Sequence, residues 1–137
     1  MEDLFMDGNN HVMPDSCSYS AVINTISSQQ KNGAGKSAEM IVRRMERFAK
    51  ERDGKKPNTA VYNALMNCYA TRGSRRDLGR VEAILRYMEG MNKVGNSRIK
   101  PNTISFNTVL KGYSQSKDNM TKKAERLLER MESEELD

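Results

Sequence analysis

Residues 57–66 read PNTAVYNALM, and the phrase returns on both sides, as PDSCSYSAVI at 14–23 and PNTISFNTVL at 101–110. Pro14, Pro57 and Pro101 open these stretches, are the only prolines in the chain, and lie 43 and 44 residues apart. Each is followed by Asp or Asn, three variable residues, an aromatic, Ser or Asn, a small residue and two apolar residues. Recurrence at a fixed period of a few tens of residues marks a repeat architecture.

The second half of each unit repeats too. Met45, Met88 and Met131 are 43 apart, and the residues around them align. Ala38, Val81 and Ala124 correspond, as do Glu39, Glu82 and Glu125, then Ile41, Ile84 and Leu127, then Val42, Leu85 and Leu128. Glu46, Glu89 and Glu132 follow the methionines.

Each unit reads as two helices. The Pro-Asp or Pro-Asn pair starts the first, since Asp, Asn, Ser and Thr cap helices and Pro stops a preceding one. Tyr62, Leu65, Met66 and Tyr69 recur at i, i+3, i+4 and i+7, which is one helical face. Tyr19, Val22, Ile23 and Ile26 copy it, as do Phe106, Val109, Leu110 and Tyr113. Breaks are expected at Lys31–Gly35, Arg72–Arg76 and Lys117–Asn119. Second helices are expected over 37–52, 78–93 and 121–135, with Ser37 capping the first of them, and loops at Asp53–Lys56 and Gly95–Lys100 close the complete units.

A helical hairpin with one apolar stripe per helix cannot bury itself, but stacked on like neighbours it can. The expectation is an all-α solenoid with a long, thin core. The composition agrees: 36% of the 137 residues are hydrophobic, below the usual 45–50% or so. Units are expected at 14–56, 57–100 and 101–137, the last incomplete, with 1–13 as a partial preceding repeat in which Leu4-Phe5-Met6 ends an earlier second helix. The chain therefore reads as part of a longer array.

Charge points to an anionic partner. All 23 Lys and Arg lie between residues 12 and 131, together with 11 of the 18 acidic residues, so this body carries a net charge of +12. Nucleic acid is the first candidate for such a body and an acidic membrane surface the second. Cys17 and Cys68 are 51 residues apart and His11 is the sole histidine. That leaves no four-ligand zinc set, no disulfide scaffold and no catalytic Ser-His-Asp or Cys-His pair, and it suits a reducing compartment. The first basic residue is Lys31, so the start is neither a signal peptide nor an Arg-rich transit peptide. No apolar run approaches the 18 or so residues that span a membrane.

Gly33-Ala-Gly-Lys-Ser37 has the ending of a phosphate-binding loop. The required glycine five residues before Gly35 is Gln30, and a helical stripe stands where a strand should.

Pro-Asn-Thr-x-x-Tyr-Asn-Ala-Leu-Met, a break, then Glu-x-x-Leu-x-x-Met-Glu and a return to Pro-Asn resembles the pentatricopeptide repeat family. The resemblance covers nearly all of residues 12–132 in three phased units. Units here run 43 and 44 residues where the family has about 35, the excess falling in breaks and loops. The rival tetratricopeptide repeat expects a Trp-x2-Leu-Gly-x2-Tyr opening that is absent. The resemblance implies a right-handed α-solenoid that binds single-stranded RNA at one base per repeat, without catalysis. It also implies residence in a mitochondrion or plastid, where the family acts on transcript processing, editing, stability and translation.

Carried over position by position, the resemblance makes Ser20, Asn63 and Asn107 the residues facing a base edge, completed by Asn58 for the first unit and Asn102 for the second. Cys17, Ala60 and Ile104 would wedge against base faces. Ser20 with Asn58 implies adenine; Asn63 with Asn102 implies C or U; Asn107 implies a pyrimidine with its partner unassigned. The chemistry suits this, since Asn offers both acceptor and donor and Ser does so on one hydroxyl. Plainer readings stand beside it: Asn58 and Asn102 as helix caps, Ser20, Asn63 and Asn107 as solvated positions, Cys17 as a buried thiol. Lys31, Lys36, Lys55, Lys56, Arg72, Arg75, Arg76, Lys111, Lys117 and Lys122 are candidate phosphate contacts. Arg43, Arg44, Arg47, Arg80, Arg86 and Arg130, on outer helices, are expected to be solvated. The expected partner is single-stranded RNA, with other proteins as a further class; no metal, cofactor, small-molecule substrate or membrane is called for. The alternative function is a helical-repeat scaffold that binds protein.

Overall fold

The computed structural model describes residues 12–29, 33–52, 55–71 and 74–133. The expected preceding-repeat segment, His11 and the acidic residues at 134–137 lie outside them. Six helices follow in order: α1 Ser16–Gln29, α2 Ala34–Arg52, α3 Thr59–Ala70, α4 Arg75–Lys93, α5 Thr103–Gln115 and α6 Thr121–Ser133. A 3₁₀ turn at Ser97–Ile99 precedes α5, and no strand occurs among the described residues.

The Pro-Asx pairs start the first helices as their chemistry requires. Asp15 Oδ1 accepts from Ser18 N–H at 2.9 Å, Asn58 Oδ1 from Val61 N–H at 3.1 Å, and Asn102 Oδ1 from Ser105 N–H at 3.1 Å. Each bond satisfies one of the amide donors that a helix start leaves without a partner. At Asn102 the Ser105 hydroxyl also accepts from the Asn102 N–H, closing a capping box. The bond from the Ser18 N–H holds the Asp15 carboxyl below its ordinary range.

The second helices begin earlier than the periodicity suggests. Helix α2 starts at Ala34, so Ser37 is not its cap and Gly35 lies inside the helix. Gly33, at φ +81°, makes the turn instead, a left-handed conformation that glycine adopts without steric cost. Helix α4 starts at Arg75, capped by Ser74, whose hydroxyl accepts from Asp77 N–H at 3.2 Å. No large apolar residue precedes the stripe in either helix (Ala34, Gly35 and Lys36 in α2; Arg75, Arg76 and Asp77 in α4), which is why the stripe alone placed both starts three residues late.

The helices pair as hairpins, α1 with α2, α3 with α4 and α5 with α6, and the hairpins stack. First helices pack side by side, α1 on α3 and α3 on α5, while α2 and α4 also pack against the first helix of the following hairpin. Second helices make few backbone contacts with one another. The first helices thus form the more closely packed row.

The core runs along the stack between the rows. Ile23, Val61, Met66 and Phe106 from first helices meet Ala38, Met45, Val81 and Met88 from second helices, all at most 1% exposed. Helix α3 is enclosed by both neighbouring hairpins, so Val61–Met66 and Cys68–Ala70 are all buried. Ile99 anchors the 3₁₀ turn in this core, and the Thr59 hydroxyl ties the turn to α3 by donating to Lys100 O at 2.7 Å.

Candidate nucleic-acid interface

Ser20, Asn63 and Asn107 are each the fifth residue of a first helix, and Cys17, Ala60 and Ile104 each the second. A spacing of three puts both positions on one helical face. Packing the first helices side by side brings these pairs into one row. Cys17, Ala60 and Ile104 are exposed, Ile104 at 62%, so the thiol of Cys17 is not buried as spacing alone allowed.

The second pair of candidate base-reading residues is joined directly. Asn63 Nδ2 donates to Asn102 Oδ1 at 3.1 Å, and Asn63 Oδ1 accepts from the Ser105 hydroxyl at 2.6 Å. Asn63 is therefore not a solvated position; it is 7% exposed, with Ser105 fully buried beneath it. An amide has two donor hydrogens and two acceptor lone pairs. Asn63 uses one of each internally, which fixes its orientation and leaves one of each for a ligand.

The first pair differs at one residue. Val61 stands where Ser105 stands in the next unit, so the first junction has no hydroxyl to offer. The Ser20 hydroxyl is buried and has no hydrogen-bond partner. An unmet buried hydroxyl costs about 1–3 kcal/mol. Asn107 is exposed, since no later first helix covers it among the described residues.

A second polar line lies two turns or less further along the same face. Asn67 Nδ2 donates to the Ser27 hydroxyl at 3.2 Å, and Lys111 Nζ donates to Asn67 Oδ1 at 2.9 Å. This links α1, α3 and α5 and sets Lys111, a candidate phosphate contact, beside the row of candidate base-reading residues. Asn67 was not legible as part of the site, although it aligns with Asn24 and Lys111 at the repeat spacing.

The opposite side carries a repeated clamp. The Tyr69 hydroxyl donates to Glu39 at 2.5 Å and that of Tyr113 to Glu82 at 2.7 Å. Arg80 pairs with the same Glu39, and Lys123 with Glu82 at 3.2 Å. Each carboxylate on one second helix thus receives a tyrosine from the next first helix and a cation from the next second helix. Burial would raise the Glu39 pKa, but the bonds from Tyr69 and Arg80 outweigh it and hold the carboxyl below its usual range. Burial first and the Glu39 bond second push Tyr69 up to about 12. Arg80 and Arg130 are therefore not simply solvated: Arg130 pairs with Glu89 and lies 5.7 Å from the Phe106 ring centroid.

The family model for the pentatricopeptide repeat domain matches residues 49–116, from the last turn of α2 through the whole of α3, α4 and α5. The chain belongs to the pentatricopeptide repeat family. Pentatricopeptide repeat proteins are generally non-enzymatic RNA binders and typically organellar. No curated protein matches the chain. No helix among the described residues is long and apolar enough to cross a membrane.

Proposed function

We propose that this pentatricopeptide repeat chain binds single-stranded RNA sequence-selectively through its first-helix face. The units are 14–56, 57–100 and 101–137, with 1–13 closing a preceding one. Each unit takes one base: Ser20 with Asn58 for adenine, Asn63 with Asn102 for C or U, and Asn107 for a pyrimidine. Cys17, Ala60 and Ile104 separate the bases, and the protein acts on transcripts in a mitochondrion or plastid.

The observation that carries this reading is the Asn63–Asn102 bond, which couples the two proposed reading positions of one unit between neighbouring first helices, α3 and α5. A solvated pair would have to be ordered on binding at a cost in rotamer entropy. Here the cost is met during folding, and one donor and one acceptor remain for a pyrimidine edge.

Titrating a short unstructured oligonucleotide at several salt concentrations tests this. Affinity should fall with a log–log slope of roughly −0.7 per phosphate contact. No binding at low salt, or a flat slope, contradicts RNA binding and favours a protein-binding scaffold.

A further inference from the structure

The two junctions between hairpins differ at an outer pair of positions, where Arg130 and Phe106 align with Tyr87 and Tyr62. At the second, Arg130 lies over the Phe106 ring and pairs with Glu89. The equivalent residues at the first junction are Tyr87, Tyr62 and Glu46, aligned at 43, 44 and 43 residues. Tyr87 therefore stands where the guanidinium stands in the next unit, and Glu46 forms no ion pair among the described residues. The Tyr62 and Tyr87 rings meet at 5.7 Å between centroids and 55° between planes, and Tyr87 remains 47% exposed.

A groove of about 480 Å³ lies beside Glu46, Tyr62 and Tyr87. That volume falls within the range of small-molecule sites, about 300–1,000 Å³. Arg47, Lys50, Lys56 and Arg98 also line it. Four cations against one carboxylate favour an anion, and the exposed tyrosine face favours a planar ring. A ring edge with two adjacent N–H donors best matches the two oxygens of the Glu46 carboxylate. Guanine meets this condition, because its N1–H and N2–H₂ form a guanidine-like edge. Adenine and cytosine offer only an exocyclic amine there.

We propose that this groove binds a guanine nucleotide. Its N1–H and N2–H₂ donate to Glu46, its ring stacks on Tyr87, and its phosphate lies among the four cations. The nucleotide can be free or a residue of a bound strand, since the chemistry recognised is the same. None of the candidate base-reading residues lines the groove, so the proposal does not depend on base reading by the first helices.

Calorimetric titration of the intact chain with guanosine 5′-monophosphate and adenosine 5′-monophosphate tests it. Guanosine monophosphate should bind about tenfold more tightly, the discrimination a bidentate pair supplies. Tyr87→Arg, which copies the second junction and keeps the fold, should abolish that binding, and Glu46→Gln should remove the preference for guanine. A parallel arm uses oligonucleotides ending in G or A beyond the read bases. A gain from terminal G that Tyr87→Arg removes, without binding of the free nucleotide, places the ligand on the strand. Equal affinity for the two monophosphates with no gain from terminal G overturns the proposal. So does guanine binding that survives Tyr87→Arg.

Discussion

Asn63 and Asn102 lie 39 residues apart in sequence, and the side-chain amide of the first donates to that of the second at 3.1 Å. Asn102 also caps α5 through the same oxygen. One residue thus starts a helix and holds the Asn63 side chain in place. The cap and base-reading interpretations of Asn102 are compatible for this reason.

Ser105→Ala removes the hydroxyl that donates to Asn63 and accepts from the Asn102 N–H. It leaves a buried amide oxygen short of a partner, and the expected loss of stability is about 1–3 kcal/mol. The midpoint of urea unfolding measures it. A change below about 0.5 kcal/mol, the range of ordinary surface substitutions, would mean that water replaces the hydroxyl.

Gly35→Ala destabilises the chain although alanine is the better helix former. An added methyl would lie against the Tyr69 ring, 2.8 Å from Cζ, and the ring is held by Glu39. Overpacking of this kind costs about 1–3 kcal/mol against a propensity gain of about 1 kcal/mol. Gly79→Ala, in open space on α4, should instead be neutral or stabilising. Thermal melts should show a lower midpoint for Gly35→Ala and an unchanged or higher one for Gly79→Ala.

The Glu39–Tyr69 clamp gives stability a pH dependence on both sides. Glu39 is depressed in the folded chain, so its contribution is present above its unfolded value near 4.5 and is lost as pH falls through the folded one. Tyr69 is raised from 10 to about 12, so its contribution is present below pH 10 and is lost as pH rises through about 12. Urea midpoints at several pH values check this. Glu39→Gln should flatten the acid limb and Tyr69→Phe the alkaline limb; unchanged limbs would show that other groups set them.

The stacked hairpins were legible because Pro14, Pro57 and Pro101 punctuate them and the apolar residues keep helical spacing between. The starts of α2 and α4 were not, because Gly33 at positive φ and the Ser74 cap govern them, and neither belongs to an apolar period. In the interface, alignment placed Ser20, Asn63 and Asn107 on one face. It could not show that Ser105 buries Asn63 while Val61 leaves Ser20 without a partner, since those contacts cross between units. The Glu39–Tyr69 clamp stayed hidden likewise: Tyr69 fits the apolar stripe, and only its hydroxyl reaches the next helix row.

Base selection at the Asn63–Asn102 position is the most direct test of the account. Oligonucleotides differing at that single base should bind the unaltered chain better with C or U than with A, by roughly tenfold. Asn63→Ser, which recreates the Ser20–Asn58 pairing, should shift the preference towards A while overall binding persists. Binding that persists with the base preference unchanged would contradict it.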